Sequence, residues 1–276
     1  MVNNELFKPR RSIEKKYAAA ITYIMRGLGK RLKNADSPFL MLEALRGLAR
    51  SPTLNRAARV AAQAMATALF HDGARSWREA ARKGSRGKLI YLLLSRELPR
   101  RKAIKAIVDQ NAKLITSMSA DAAKKVAEAM ARGQLEGKRP EEMMHDVLAR
   151  WPTLTEARAR LIARTETSKA ASALTRVRAE SAGFSWYEWK TSEDARVRSA
   201  HRHMDGVLCR WDDPPNPEKL NHEKDYGAYH PGEIFNCRCY AAPLIDYEDV
   251  SWPHKVYYNG KISTMTLAKF KAINRR

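Results

Sequence analysis

Apolar residues recur at helical spacing through most of the first 180 residues, and no other feature limits the possible folds as much. Steps of three or four residues connect the members of the first stripe, so they share one face of a helix. This stripe consists of Ile13, Tyr17, Ile21, Ile24 and Leu28. Ser37-Pro38 and Ser51-Pro52 each join a preferred N-cap residue to a first-turn proline, and two more helices are predicted to begin there.

Further helices are predicted downstream, separated by segments rich in glycine or proline. Gly84-Ser85-Arg86-Gly87 breaks the periodicity and is the best candidate for a hinge. Helices are expected over residues 89–98, from Arg100 to about Gly133, over a short segment opened by Arg139-Pro140-Glu141-Glu142, and from Thr155-Glu156 to about Ser181. Gly183 follows the last of these at the position where a helix-ending glycine belongs.

The pattern changes after Gly183 to short segments typical of a mixed fold. Strands are predicted over residues 184–191, 207–211, 240–245, 255–258 and 261–264. Ser192 is predicted to cap a helix over residues 193–204, which Asp205-Gly206 ends. Asn259-Gly260 is a strong hairpin turn signal, and a final helix is expected over residues 267–274. The predicted fold class is therefore mainly α, with a small C-terminal α+β domain.

The charge of the chain is strongly unbalanced. Lys and Arg number 51 against 30 Asp and Glu, which gives a net charge of +21 over 276 residues. Such a field attracts polyanions, so the expected partner is nucleic acid or an acidic protein surface. The alternative is a basic surface that serves only solubility. A hydrophobic content of 44% argues against wholesale disorder.

No segment has the pattern of an export signal or a membrane span. The first ten residues lack an apolar core, and the richest apolar run, Leu89 to Leu94, is too short to cross a bilayer. Assembly is therefore expected in the cytosol, where cysteines remain thiols or bind metal. A disulfide formed later between Cys209 and Cys237 or Cys239 is an alternative.

Two of the three cysteines, Cys237 and Cys239, are two residues apart. Residues i and i+2 of an extended segment point to the same face, so the two sulfurs can act together. With His201 and His230 they would form a Cys2His2 set of the type that zinc favours, which makes a structural zinc ion the candidate cofactor. Buried free thiols are the alternative.

Two further groups of polar residues are candidate sites. On a helix over residues 193–204, one face would carry Asp194, Arg198, His201 and Asp205, either as a metal or phosphate site or as an ion-paired surface. Glu166, in the run Arg164-Thr165-Glu166, is predicted to be a buried anchor for Arg196 or Arg198. A catalytic role for Glu166 is disfavoured because no second acid with a clear partner base accompanies it.

Ordered motifs in the last half of the chain resemble the head-morphogenesis domain of phage minor head proteins, typified by protein F of phage Mu. The resemblance covers roughly residues 140–245. The motifs are Ile162-Ala163-Arg164-Thr165-Glu166-Thr167, Gly183, Trp189-Lys190-Thr191, Asp194-Ala195-Arg196-Val197-Arg198, His201, Asp205-Gly206, Pro231-Gly232 and Asn236-Cys237-Arg238-Cys239. On this basis we divide the chain into a basic helical region (1–135), a Mu F-like domain (136–247), and a C-terminal hairpin and basic tail (248–276).

This resemblance implies a structural role for the motif residues and a non-enzymatic function in procapsid assembly. The expected location is the virion, in the head interior or at the portal vertex, after assembly in the host cytoplasm. The implied partners are the portal protein, packaged double-stranded DNA bound without sequence preference, and scaffolding or major capsid protein. The dispersed Lys and Arg of the helical region would bind the DNA phosphates.

A metal-dependent nuclease is the competing hypothesis. Histidines near an asparagine, together with a metal, can activate water against a phosphodiester. The residues involved would be His201, His203, Asn221-His222, Cys237 and Cys239. The sequence lacks a clean pair of metal-binding carboxylates, which disfavours this reading. A transcription regulator is disfavoured because no recognition helix is evident.

Overall fold

The computed structural model describes residues 4–83 and 101–274, and the chain divides into two compact units. The helical unit comprises residues 11–67 and 101–166, and the sheet unit comprises residues 1–10, 68–100 and 167–276. The predicted hinge at residues 84–87 and the predicted helix over residues 89–98 lie outside the described residues. Within the described ranges, no helix has an apolar stretch long enough to cross a membrane.

The helical unit is formed by long helices that begin where the sequence predicts. It contains α1 (Arg11–Leu32), α2 (Pro38–Ala49), α4 (Arg101–Leu135) and the first parts of α3 (Pro52–Lys83) and α5 (Pro140–Ser181). The Ser37 hydroxyl accepts a hydrogen bond from the backbone N–H of Leu40, and Ser51 does the same for Leu54. Both predicted N-caps are therefore confirmed.

The core of the helical unit is built from single faces of these helices. The buried stripe of α1 agrees with the predicted one except at Ile24, which is half-buried, while the neighbouring Met25 is fully buried. Burial of a side chain of this size stabilises a fold by roughly 1.5–3 kcal/mol. Within this apolar core, the Tyr17 hydroxyl donates a 2.8 Å hydrogen bond to Asn111 of α4.

The two helices predicted between residues 139 and 181 are in fact one continuous helix, α5, with Pro152 inside it. An internal proline removes a backbone hydrogen bond and costs about 3 kcal/mol. The neighbouring Trp151 is buried, and its indole N–H donates to the carbonyl of Met25 at 3.2 Å. Anchoring of Trp151 on α1 offsets the cost of the proline, and Thr155 lies within the helix rather than at its start.

The sheet unit is organised around a five-stranded sheet. Its strands are β1 (Trp186–Lys190), β2 (Leu208–Arg210), β3 (Tyr240–Pro243), β4 (His254–Tyr258) and β5 (Lys261–Met265), in the order β3-β1-β2-β4-β5. β1 is antiparallel to both of its neighbours, and among these five strands only the β2–β4 pairing is parallel. The short helices of the unit are α6 (Ser199–Met204), α7 (Pro217–Leu220) and α8 (Leu267–Asn274).

Both faces of the interior strand β1 are buried. Tyr187 and Trp189 join one apolar cluster, which includes Trp77 of α3, and Trp186 joins another that includes Phe270 of α8. This alternation follows from the period of two along a strand. The mainly α fold with a small C-terminal α+β part is confirmed.

Turn chemistry explains the connections in the sheet unit. Gly183, at φ +77°, ends α5, and the backbone N–H of Phe184 donates to the carbonyl of Ala179 in the expected glycine-terminated arrangement. Asn259 and Gly260 have φ of 51° and 78°, which is the two-residue turn that joins antiparallel strands with the correct twist. The predicted hairpin and final helix are confirmed.

Candidate metal centre

Cys237 and Cys239 point to the same side of an extended segment, as their spacing predicts. Their Sγ atoms lie 3.5 Å and 3.4 Å, respectively, from Nδ1 of His201, which projects from α6. All three side chains are buried, and the three ligand atoms lie within 4.8 Å of one another. Two sulfurs and an imidazole nitrogen thus converge on one point, and this donor set suits zinc.

The other ring nitrogen of His201 is held by a buried pair of oxygen-bearing side chains. Nε2 lies 2.9 Å from the hydroxyl of Tyr229, which in turn lies 2.6 Å and 2.7 Å from the two carboxylate oxygens of Glu218. A carboxylate only accepts, so the tyrosine donates to Glu218 and accepts from Nε2–H. Burial, together with Glu218, raises the pKa of Tyr229, which keeps the phenol protonated. Nε2 of His201 is therefore protonated, and Nδ1 faces the two cysteines.

His230, the fourth predicted ligand, is not a member of this group. Its Nδ1 lies 3.0 Å from the Tyr187 hydroxyl, and its Nε2 lies 3.1 Å from a guanidinium nitrogen of Arg176. Arginine only donates, so Nε2 accepts and the ring is neutral. Burial lowers the pKa of His230 to about 4, and Arg176 adds to the effect. The protein itself engages both nitrogens, which reduces the predicted Cys2His2 set to Cys2His.

The two clustered thiols differ in acidity. A hydrogen bond from Cys239 lowers the pKa of the Cys237 thiol, and His201 adds to this against the opposing effect of burial. The same hydrogen bond raises the pKa of Cys239, as does its own burial. The backbone N–H of Cys239 also approaches Sγ of Cys237, at 3.4 Å. Cys237 is therefore the sulfur that ionises first.

Cys209, the third cysteine, is on β2 and is buried apart from the other two. Burial raises the pKa of its thiol, and its Sγ contacts the carbonyl of Val207. All three cysteines are free thiols, so the alternative of a disulfide to Cys209 is absent from this structure.

The predicted Pro231-Gly232 motif fixes the segment that leads to the cysteines. Gly232 has φ +90°, a conformation that L side chains rarely adopt. A Cβ atom there would lie 3.1 Å from the carbonyl oxygen of Cys239 and 3.2 Å from that of Ser168 in α5. Glycine is therefore required both by the backbone angle and by the close approach of two other backbone segments.

Asn236 and Arg238 of the last motif have structural roles. Asn236 adopts φ +56°, in the left-handed region that asparagine tolerates better than most residues. The side chain of Arg238 is paired with Asp194 at 2.7 Å. The motif thus places Cys237 and Cys239 inward and ties the intervening arginine to the loop after β1.

The predicted helix over residues 193–204 is wrong in its first half, because only Ser199–Met204 is helical. The carboxylate of Asp194 accepts a hydrogen bond from the backbone N–H of Arg196, and Glu193 has φ 58°. These two features form a turn and delay the helix. Asp194, Arg198, His201 and Asp205 consequently do not share one helix face.

Asp205 and Gly206 end α6 as predicted. The Asp205 carboxylate accepts a 2.7 Å hydrogen bond from the backbone N–H of Thr191. Gly206 has φ +76°, and its N–H donates to the carbonyl of Trp189 at 2.8 Å. Along the chain this turn leads from α6 to β2, and its hydrogen bonds hold α6 against β1. The Trp189 ring packs edge-on against the imidazole of His201.

The Arg164-Thr165-Glu166 motif lies on α5 in the helical unit. Glu166 is buried and accepts a hydrogen bond from the side chain of Gln110 at 3.2 Å. Arg164 lies 3.5 Å from Glu14. Arg198, one of the two arginines predicted to pair with Glu166, lies over the ring of Phe235 and donates to its carbonyl. Burial and hydrogen bonding of Glu166 are those of a structural carboxylate.

Sequence reasoning missed Glu218 and Tyr229, which orient His201. Both come from the loop between β2 and β3, where polar residues suggest solvent exposure, yet Glu218 is only 1% exposed. Asn216-Pro217 was the available signal, because it starts α7 with the Asn216 side chain as N-cap and so directs Glu218 inward.

Comparison with known proteins identifies one region of the chain. Residues 123–242 match the family model described as Phage Mu protein F like protein. A protein of Haemophilus influenzae (strain ATCC 51907 / DSM 11121 / KW20 / Rd), described only as an uncharacterized protein, is 33% identical over 143 residues, which is 52% of this chain. The matched part spans 30% of that relative's length. No solved structure matches the chain. The resemblance inferred from the motifs is confirmed, because residues 123–242 are similar to the phage Mu protein F-like family.

Proposed function

We propose that this protein is a minor head protein of a tailed phage, acting in procapsid assembly at or near the portal. The single observation that carries the proposal is the family match over residues 123–242. Portal protein is the proposed main partner, with scaffolding or major capsid protein as further ones. The proposed location is the virion, in the head interior or at the portal vertex.

We also propose sequence-independent contact with packaged DNA, which the distribution of charge supports. Residues 1–166 contain 34 Lys and Arg against 16 Asp and Glu, whereas residues 167–276 contain 17 against 14. Most of the net charge therefore lies in residues 1–166. Lys15, Lys16 and Lys30 on α1 are exposed and available to phosphates. Such contacts position a protein on DNA without reading the bases.

A structural role for the Cys2His cluster is consistent with its burial. Cys237, Cys239 and His201 are each less than 5% exposed, while His203 and His222 are exposed. A nuclease metal must keep a position open to water and to the phosphodiester. The five residues do not form one accessible site, so no observation favours the nuclease alternative.

The assignment is tested by assembling procapsids from the head proteins of the same phage with and without this chain. A tagged chain should be retained in purified particles and be located by electron microscopy at or near a single vertex. A chain that remains in the soluble fraction, or that decorates all vertices equally, contradicts the proposal.

A nuclease assay separates the two functional classes. Wild-type protein and His203→Ala should both leave duplex DNA intact in the presence of magnesium, manganese or zinc. Cleavage by the wild type that His203→Ala abolishes without loss of fold would establish the enzyme instead.

A further inference from the structure

We propose that His201, Cys237 and Cys239 bind one structural zinc ion, through Nδ1 and two thiolates, and that Tyr229 and Glu218 set the histidine for this role. The proposal concerns the stability of the sheet unit and does not depend on the function proposed above.

The distances between the three ligand atoms suit a shared metal ion. Zinc binds sulfur at about 2.3 Å and nitrogen at about 2.0 Å, so two such ligands of a tetrahedron lie about 3.5 Å apart. The measured distances from His201 Nδ1 are 3.5 Å to Cys237 Sγ and 3.4 Å to Cys239 Sγ. Both sulfurs and the nitrogen therefore stand at three corners of a tetrahedron around a shared zinc ion. Among the described residues no fourth side chain joins them, so water would take the fourth corner.

Hydrogen bonding alone does not account for this symmetry. An unprotonated imidazole nitrogen has one lone pair in the ring plane, and it accepts one strong hydrogen bond. One ring nitrogen can make one strong hydrogen bond, yet two buried sulfurs lie at nearly equal distance from Nδ1. A divalent cation bound to Nδ1 contacts both sulfurs at once, and two thiolates balance its charge.

The environment of His201 matches that of a metal-binding histidine. Such histidines commonly donate their second ring N–H to a carboxylate or another acceptor, which fixes the tautomer and the ring orientation. Here Nε2–H donates to the Tyr229 hydroxyl, and that hydroxyl donates to Glu218, which is 1% exposed.

The ligands also come from separate parts of the sheet unit. His201 is on α6, whereas the cysteines follow the long loop between β2 and β3. A metal ion would therefore close a loop of more than thirty residues that contains little regular structure. Metal binding of this kind stabilises the folded state because the unfolded chain has no preformed site.

The test is metal analysis of the purified full-length chain and of matched cysteine variants. We expect close to one zinc per chain for the wild type and for Cys209→Ser, which alters a buried cysteine outside the cluster. Cys237→Ser and Cys239→Ser should each lower the zinc content at least tenfold. Zinc below one tenth per chain in the wild type, or equal loss in Cys209→Ser and Cys237→Ser, would overturn the proposal.

Spectroscopy on the wild type shows whether the cysteines bind the metal, even when a cysteine variant fails to fold. Replacement of zinc by cobalt should give an intense sulfur-to-cobalt charge-transfer band and the visible spectrum of a tetrahedral ion. X-ray absorption should give two sulfur neighbours at the metal. A cobalt-treated protein without the charge-transfer band contradicts the site.

The orienting role of Tyr229 has its own matched control. Tyr229→Phe should retain zinc but weaken its binding about 10- to 100-fold in competition with a chelator, the usual effect of losing an outer hydrogen bond. Tyr187→Phe removes the equivalent hydroxyl from His230 and should leave zinc affinity unchanged. Equal affinities of Tyr229→Phe and the wild type would refute the positioning role.

Discussion

The two units of this protein bury different kinds of residues. The core of the helical unit consists mainly of Leu, Ile, Met and Ala on the faces of long helices, with a single Tyr17–Asn111 hydrogen bond as a clear polar contact between the described parts of α1 and α4. The sheet unit instead buries tryptophan, tyrosine, histidine, cysteine and glutamate side chains that contact one another. Apolar packing tolerates small changes of shape, whereas a buried polar network depends on each partner.

We expect the largest loss of stability from a single substitution at Gly232 in the sheet unit. Gly232→Ala combines a left-handed φ of +90° with contacts of 3.1 Å and 3.2 Å to two carbonyl oxygens. We expect a loss of about 2–5 kcal/mol in the free energy of unfolding, from backbone strain and overpacking together. Denaturant unfolding measures this loss.

Gly260→Ala is the control for Gly232→Ala. Gly260 also has a left-handed φ, of +78°, but nothing lies within 4 Å of the position that a Cβ atom would take there. The Gly260→Ala variant should lose only about 1–2 kcal/mol, from the backbone strain alone. Equal losses at the two glycines would show that the segment before the cysteines is not closely packed.

His230 makes the stability of the sheet unit depend on pH. Its pKa falls from 6.5 to about 4 on folding, so the unfolded chain takes up a proton first as the pH decreases. Stability from this group is complete above pH 6.5 and is lost toward pH 4, by roughly 3 kcal/mol in total. The charged or titratable groups that contact the ring are Arg176 and Tyr187. Glu233 accepts a hydrogen bond from the backbone N–H of His230.

Unfolding measured between pH 7 and pH 4 tests this assignment. His230→Asn should flatten the pH dependence, because the titrating group is gone. His203→Ala, which alters an exposed histidine of the same unit, should keep the wild-type slope. A His230→Asn variant with the wild-type slope would assign the acid sensitivity to other groups.

Two glycines of α1 provide the corresponding test in the helical unit. A Cβ at Gly29 would lie 2.7 Å and 2.8 Å from atoms of the buried Trp151 ring, whereas nothing lies within 4 Å at Gly27. Gly29→Ala should therefore cost about 1–3 kcal/mol through overpacking. Gly27→Ala should stabilise by about 0.5–1 kcal/mol, because alanine is the better helix former. Thermal unfolding that orders the two variants the other way would refute the α1–α5 contact.

Helical periodicity predicted most of the helical unit because each buried face can be read from a local pattern. The stripe of α1 and the N-caps at Ser37 and Ser51 depend on residues only a few positions apart. The break predicted before Thr155 was wrong because Trp151 is anchored by Met25, a residue 126 positions away. The helix start predicted at Thr155-Glu156 rests on neighbouring residues and does not include such a contact.

In the sheet unit, spacing predicted the cysteine pair and turn residues predicted the hairpin. The same patterns did not predict Glu218 and Tyr229, since their burial depends on how a long irregular loop folds back. The helix predicted to start after Ser192 failed for a similar reason. The Asp194 carboxylate accepts a hydrogen bond from the backbone N–H of Arg196 and forms a turn. The sequence allows either this turn or a helix at that place.

The proposed DNA contact is carried more by Lys and Arg of residues 1–166, such as those on α1, than by those of residues 167–276. The most direct measurement is the salt dependence of duplex DNA binding for two charge-matched variants. One carries Lys15→Glu, Lys16→Glu and Lys30→Glu on α1, and the other carries Lys255→Glu, Lys261→Glu and Lys269→Glu, all at exposed positions.

Wild-type affinity should fall on the order of a thousandfold between 50 and 200 mM salt if about six phosphates are contacted. The α1 variant should reduce the slope of log affinity against log salt by up to about 3, roughly one for each lysine that no longer neutralises a phosphate. The sheet-unit variant should keep the wild-type slope. Identical slopes for the two variants, or wild-type binding that does not respond to salt, would contradict DNA contact through the helical region.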